Sequence, residues 1–538
     1  MGHSVCYLIF AAGQNRVVWK CSVFRLFISS CCNTLYRSAA SKMPALRQVF
    51  LFAYFCRYIF PPAVQTVGME NTWLTYINEV EALLRVHENF DILVQPMEVG
   101  GRQARLYTID GLTKDELLNK MMQFWLSATA EQMASITSAA QFRQKYFSYT
   151  ETDLRTDPAD MAKDLLSGAS LLFVEPFREA LVIDARTYPV RGVEEPETDR
   201  VLRGSRDGLV ETLVFNAALI RRRLRDPALT MEVIPVGRIS ATDVCICYMA
   251  DRVDKAYLKK VRERLKNMTI PALTLGQESL AECLLRGQWY NPFPRIRYTE
   301  RPDSAAAGIA EGQIVLMVDN SPAAMVLPTS IFDFSQDTND FYFPPIVGSY
   351  LRFVRGLIFV ATLFLTPVWY WLMQNPERIP PALEFIRIDK MGNIPLIVQL
   401  LLVELLIDAI KLAALNTPSS LSNALSLVGA LVFGEFAVQA GIFSAELLAY
   451  MAFVAIASFT QPSHELTYAF KLFRIFFLLL TWLLHGWGLL LGMAIMAVVL
   501  VTTRTAVGGH YLYPVFPFNG TALMRLMFRQ PISRHNAE

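Results

Sequence analysis

IPLIVQLLLVELLIDAIKLAAL, residues 394–415, is the stretch whose reading decides the fold. It is long enough to cross a hydrocarbon core about 30 Å thick as a single helix. Two carboxylates interrupt it: Glu404 and Asp408 lie four residues apart, hence on one helical face. Each costs on the order of 3 kcal/mol in lipid, so both are expected to face protein, water or an ion path. Two readings stay open. Either the pair sits near the water interface or bonds across a helix seam, or it lines a route for ions.

Working outward, further uncharged runs flank this one. Residues 356–376 lie between Arg355 and Glu377, and residues 424–442 carry Glu435. Residues 447–461 form a short run, and 475–503 follow Arg474 without a charge. The last run is too long for one upright helix and too short for two full ones. His485, Gly486 and Gly488 stand where it could break, which leaves five or six crossings open. Gly429, Gly434 and Gly441 recur along one side of the third run and are expected to let helix backbones approach closely. Glu435 lies beside that stripe and would repeat as a ring of acids in a homo-oligomer. Asn416, Thr417 and Pro418 are expected to break or cap the helix near a pore mouth. Lys and Arg are absent between Lys411 and Lys471, whereas Glu435, Glu446 and Glu465 are present, so a polar route here would favour cations.

Composition explains why this half stands apart. The 538 residues are 53% hydrophobic and 18% charged, with a net charge of +2, which offers no basic field for nucleic acid. Charged residues make up 22% of residues 1–350 but 11% of 351–538. Water is the solvent of the first part and lipid that of the second. The fold expected is an α/β cytoplasmic region of two subdomains, 69–158 and 159–350, then a polytopic α-helical membrane domain at 351–512 and a tail at 513–538. Arg352 and Arg355 beside the first span place the large N-terminal region in the cytoplasm.

Residues 1–68 hold seven Lys or Arg, no acid and five of the eight cysteines. This doubtful N-terminal extension is expected to be an over-extended reading frame with the true start near Met69. A membrane-touching arm and a transit peptide are the alternatives. From Met69 the pattern becomes regular. Trp73, Ile77, Val80 and Leu84 fall at helical spacing, and Thr113 with Glu116 reads as a capping box. The polar stretch 186–225 contains Arg191, Glu195, Arg206, Asp207, Glu211, Asn216, Arg221 and Arg223. It reads first as a subunit or inter-domain seam and second as an anion site, since its Gly204–Gly208 loop lacks the Lys-Ser/Thr ending of a phosphate loop. Cys245 and Cys247 alternate in a strand without further ligands and are expected to be buried rather than to bind zinc. Asp333, Asp337 and Asp340 read as a hydrated linker ahead of a calcium site. Neither a nucleophile–base set nor a metal set assembles, so no catalytic residue, metal or cofactor is expected.

Glu195-Pro196, the stretch Arg203-Gly204-Ser205-Arg206-Asp207-Gly208, Thr299-Glu300-Arg301-Pro302-Asp303 and the Asp319 to Pro322 turn together resemble the spore germination receptor A-subunit family of endospore-forming bacteria. The membrane half is more similar to the stage V sporulation branch of that family. The residues that carry this are Gln399, Glu404, Asp408, Asn416-Thr417-Pro418, Glu446-Leu447-Leu448-Ala449-Tyr450 and Pro517-Phe518-Asn519. The resemblance covers most of the chain after Met69. It implies residence in the inner spore membrane, a homo-oligomer, and a small membrane partner or germinant receptor subunits as partners. It further implies a part in releasing monovalent cations during germination. The function expected is an oligomeric cation channel or channel-like accessory. A non-conducting scaffold that organises receptors is the alternative, and a transporter is disfavoured because no internal repeat is visible.

Overall fold

The computed structural model describes residues 72–147, 151–187, 204–285, 290–388, 394–416, 434 and 436–529. The N-terminal extension, Arg191, Glu195, Thr417, Pro418, Gly429 and Glu435 lie outside the described residues.

Two three-layer α/β units come first. The first sheet contains β1 (Ile92–Val99), β2 (Arg102–Ile109), β3 (Thr152–Arg155), β4 (Ser170–Val174) and β5 (Ala180–Ile183), in spatial order β1-β2-β4-β5-β3 with antiparallel neighbours. Alternation along the strands splits its side chains between two cores. Tyr107, Ile109, Leu171 and Phe173 meet α1 (Thr72–Leu84) and the helix Pro158–Leu166 on one face. Ala104, Leu106, Leu172 and Leu181 meet the helices Asp115–Leu126 and Ala139–Tyr146 on the other. We label these three helices α2 (Asp115–Leu126), α3 (Ala139–Tyr146) and α4 (Pro158–Leu166).

The second sheet repeats the plan with β6 (Leu229–Val236), β7 (Thr242–Met249), β8 (Arg297–Thr299), β9 (Ile314–Val318) and β10 (Ala324–Leu327), ordered β6-β7-β9-β10-β8. Val244, Ile246 and Tyr248 of β7 pack on α6 (Lys255–Lys266) and α7 (Gln277–Leu284). Cys245 and Cys247 pack on the opposite face, among side chains of α5 (Leu213–Arg223) and α8 (Pro302–Ala310), and both are fully buried. The break between the sheets therefore falls after Ile183, not near Pro158. The reason is that β3 alone exposes two ladder edges and finds its partner in β5, some thirty residues on. Thr113 also departs from the sequence reading. Its hydroxyl donates to Ile109 O, and Lys114 occupies the N-cap of α2 without a side-chain cap.

Long apolar helices follow: α9 (Pro345–Gln374), α10 (Leu396–Asn416), α11 (Ala445–Ser458) and α12 (His464–Thr502). Among the described residues, α9 and α12 are long and apolar enough to cross a membrane; α10 is shorter, at 21 residues, and carries Glu404, Asp408 and Lys411. His485 interrupts α12 with φ 53° and ψ −136°. A Cβ on Gly488 would fall 1.9 Å from Leu480 O, and one on Gly492 2.7 Å from Phe477. Eight residues of straight helix separate two positions by about 12 Å, so these approaches require the chain to fold back on itself. The segment is a hairpin of two legs of about 31 and 26 Å, each close to the hydrocarbon thickness.

Of the glycines in the third run, Gly434 and Gly441 lie among the described residues. Among the described residues, nothing lies within 4 Å of a Cβ on Gly434. Gly441 sits in the turn after a short helix, Ala437–Gln439, with φ 70°, so its backbone conformation accounts for it. Asn416 ends α10.

The helical segment is fastened to the second sheet's unit. Tyr511 Oη donates to Pro294 O at 2.7 Å, Asn291 Nδ2 to Thr503 Oγ1 at 2.7 Å, and Arg264 Nη1 to Ala506 O at 2.5 Å. Phe293 stacks on Phe473 with ring centroids 5.2 Å apart.

Candidate functional site

The carboxylates of α10 meet bases supplied by the first leg of α12. Arg474 donates through Nε to Glu404 Oε1 at 2.6 Å and through Nη2 to Glu404 Oε2 at 3.0 Å, while its Nη1 reaches Thr362 O of α9 at 2.9 Å. Lys471 donates to Glu404 O at 3.0 Å, stands 3.3 Å from Glu404 Oε2 and forms an ion pair with Asp408. Lys411 donates to Ser458 Oγ of α11 at 3.0 Å and lies 4.8 Å over the Phe459 ring. Glu404 is 2% exposed, and Lys471 and Arg474 are buried beside it.

These contacts correct the electrostatics read from sequence. The acids are paired with bases, and three bases outnumber two acids in the cluster. In the sequence, Lys471 and Arg474 only border uncharged runs. The signal that could have found them is their three-residue spacing, which puts both on one helical face, matched to the four-residue spacing of Glu404 and Asp408. The bidentate Glu404–Arg474 pair offsets much of the desolvation of its two charges, and Lys471 is buried beside it, while Asp408 and Lys411 stay partly exposed. A cavity of about 30 Å³, enough for a water-sized group, adjoins the cluster. Both amide atoms of Gln461 in its wall lack a hydrogen-bond partner among the described residues.

The polar stretch after the first sheet resolves into two clamps. Arg221 of α5 is fully buried and donates through Nε and Nη2 to Asp91 at 2.9 Å each, to Asn89 Oδ1 at 3.1 Å and to Leu229 O at 3.1 Å. It thereby ties the loop before β1 to the start of β6. Asn216 closes the loop ahead of its helix by bonding both Val210 N and Val210 O. Arg223 holds Asp207 and Ser205 Oγ. Burial pushes the Asp207 carboxyl up, but hydrogen bonds from Arg223 and Ser205 outweigh it and leave the group below the usual carboxylate range. Arg301, also fully buried, adds Ser205 O at 2.9 Å and Asp303, to which Tyr342 Oη donates at 2.8 Å. Glu211 contributes its carbonyl to Asn320 N, and Arg206 is exposed. Asp340 is fully buried against Arg355 at 2.9 and 3.0 Å and Arg352 at 3.4 Å, so it is a buried ion-pair partner, not part of a hydrated linker.

Two α/β units and a bundle of apolar helices with a charge cluster define an α/β head joined to a helical segment in which two helices are long and apolar enough to cross a membrane. The chain belongs to the Bacillus/Clostridium GerA spore germination protein family, whose model matches residues 80–538. Stage V sporulation protein AF of Bacillus subtilis is 34% identical over 449 residues, 82% of this chain and 89% of that relative. Spore germination protein GerLA of Bacillus cereus is 30% identical over 380 residues, 69% of this chain and 76% of that protein. The crystal structure of the N-terminal domain of the A subunit of the Bacillus megaterium spore germinant receptor GerK3 aligns with a TM-score of 0.37 and 23% identity, covering 46% of this chain and 92% of that one.

Proposed function

We propose that the chain serves spore germination from the inner spore membrane, as a multi-pass, oligomeric cation channel or channel-like accessory to germinant receptors, with its head in the cytoplasm. Sporulation is the role the name of one relative states and germination that of another. The observation that carries the channel reading is the cluster of Glu404, Asp408, Lys411, Lys471 and Arg474, three of them buried, because ionisable groups within apolar helices are costly and kept for a task. The geometry fits a closed protomer. Glu404 and Asp408 hold bases of their own chain, so a passing cation would have to displace Lys471 or Arg474. The ties from Arg264 and Pro294 to the end of α12 give the head a mechanical grip on the helices that would separate.

Cation efflux from liposomes carrying the full chain tests this reading. Arg474→Gln should raise basal efflux by freeing Glu404, and Glu404→Gln with Asp408→Asn should abolish selectivity for cations. Efflux indistinguishable from protein-free liposomes for the native chain and both variants would leave the scaffold reading. That reading is supported by the paired state of the cluster, which resembles a fastening between helices.

A further inference from the structure

A second polar site lies where the helices leave the head. A cavity of about 800 Å³ opens between β10, the start of α9 and the segment after α12, with Arg352, Arg525 and Arg529 in its wall. Arg529 is the telling member. Its Nε and Nη1 are buried without a hydrogen-bond partner among the described residues, although the chain packs tightly around its stem. A Cβ on Gly348 would fall 3.1 Å from Arg529 Cδ, and the guanidinium carbon sits 5.9 Å from the Phe341 ring centre. Buried guanidinium donors left idle are costly unless an acceptor enters the site. The carboxylates at hand are engaged or distant. Asp340 is held by Arg352 and Arg355, Asp333 caps Ser330 N at 2.7 Å, and Glu311 lies on the head-side wall.

The rim of the cavity is apolar and faces outward. The helix Gly520–Met527, α13, buries no residue; Met524, Met527 and Phe528 are exposed, as are Phe516 and Phe518 before it. Tyr350, Phe353 and Leu357 are likewise exposed on α9. An outward apolar surface ending in a ring of arginines has the layout of an interfacial lipid contact, with acyl chains along the helices and an anionic headgroup at the bases.

We propose that this cavity binds the phosphodiester headgroup of an anionic phospholipid of the cytoplasmic leaflet, with Arg529 and Arg525 as its phosphate donors. The site is independent of ion conduction, so it stands whether or not the chain forms a channel. The test is native mass spectrometry of the full chain, solubilised after reconstitution in equal phosphatidylcholine and phosphatidylglycerol. The native chain should retain phosphatidylglycerol preferentially. Arg529→Gln should weaken that retention about tenfold, as loss of a charge-assisted hydrogen bond does. Arg525→Gln, at an exposed position that leaves folding intact, should weaken it about fivefold. Arg378→Gln, in a separate turn (Pro376–Arg378), should change nothing. Equal retention of the two lipids by the native chain, or native preference in both Arg529→Gln and Arg525→Gln, would overturn the proposal. Release of the lipid by millimolar inorganic phosphate would also overturn it, since the site would then read free phosphate and not a lipid.

Discussion

Removing both sides of the Glu404–Arg474 pair should cost less than the sum of removing each alone. Glu404 is 2% exposed and accepts two hydrogen bonds from Arg474, with Lys471 3.3 Å away. Arg474→Gln leaves the carboxylate with Lys471 alone, and Thr362 O loses its donor. Breaking a buried pair from one side costs about 3–5 kcal/mol. The retained lysine puts this variant near the lower end, about 3 kcal/mol. Glu404→Gln strands two cations and belongs near the upper end, about 5 kcal/mol. In the double variant the two losses overlap, with a coupling of about 2–3 kcal/mol. The measurement is reversible unfolding of the full chain from lipid-mimicking micelles by sodium dodecyl sulfate, followed by fluorescence of Trp369 and Trp482, which lie on the packed helices. Additive losses of less than about 1 kcal/mol each would refute the reasoning, because they are the behaviour of a pair already bathed in water.

Other expected outcomes follow from the same contacts. Arg221→Met should strand the buried Asp91 and cost about 3–5 kcal/mol, seen as faster amide exchange at residues 89–91 and 229–231 while the α3 region is unchanged. The Asp207 carboxyl has a depressed folded pKa, so its contribution is present above the unfolded value of about 3.9 and is lost as pH falls through the folded one. Arg223→Gln should therefore flatten that acid limb in pH-dependent unfolding. Gly488→Ala places a methyl against the Leu480 carbonyl, and a disulfide engineered between positions 477 and 492 should form in the native hairpin but not in that variant. Cys245 and Cys247 should resist N-ethylmaleimide until the chain unfolds, since burial and the neighbouring thiol push the Cys245 thiol well above its usual range.

The sequence by itself determined what depends on neighbours a few residues apart. The drop in charge after residue 350 marks the change of solvent, periodicity locates α1, and the break at His485 is legible from His485, Gly486 and Gly488. Motif residues such as Arg301 and Asp207 pointed to the family, without revealing that Ser205 links them. Tertiary structure alone decided the pairings between distant segments. Glu404 meets Arg474 seventy residues on, Asp91 meets Arg221 one hundred and thirty residues on, and β3 joins β5 across the position near Pro158 where a subdomain boundary is expected from sequence. Such partners are chosen by the packing of whole layers and helices, a collective sum over many small contacts in which no local pattern records who will stand opposite whom.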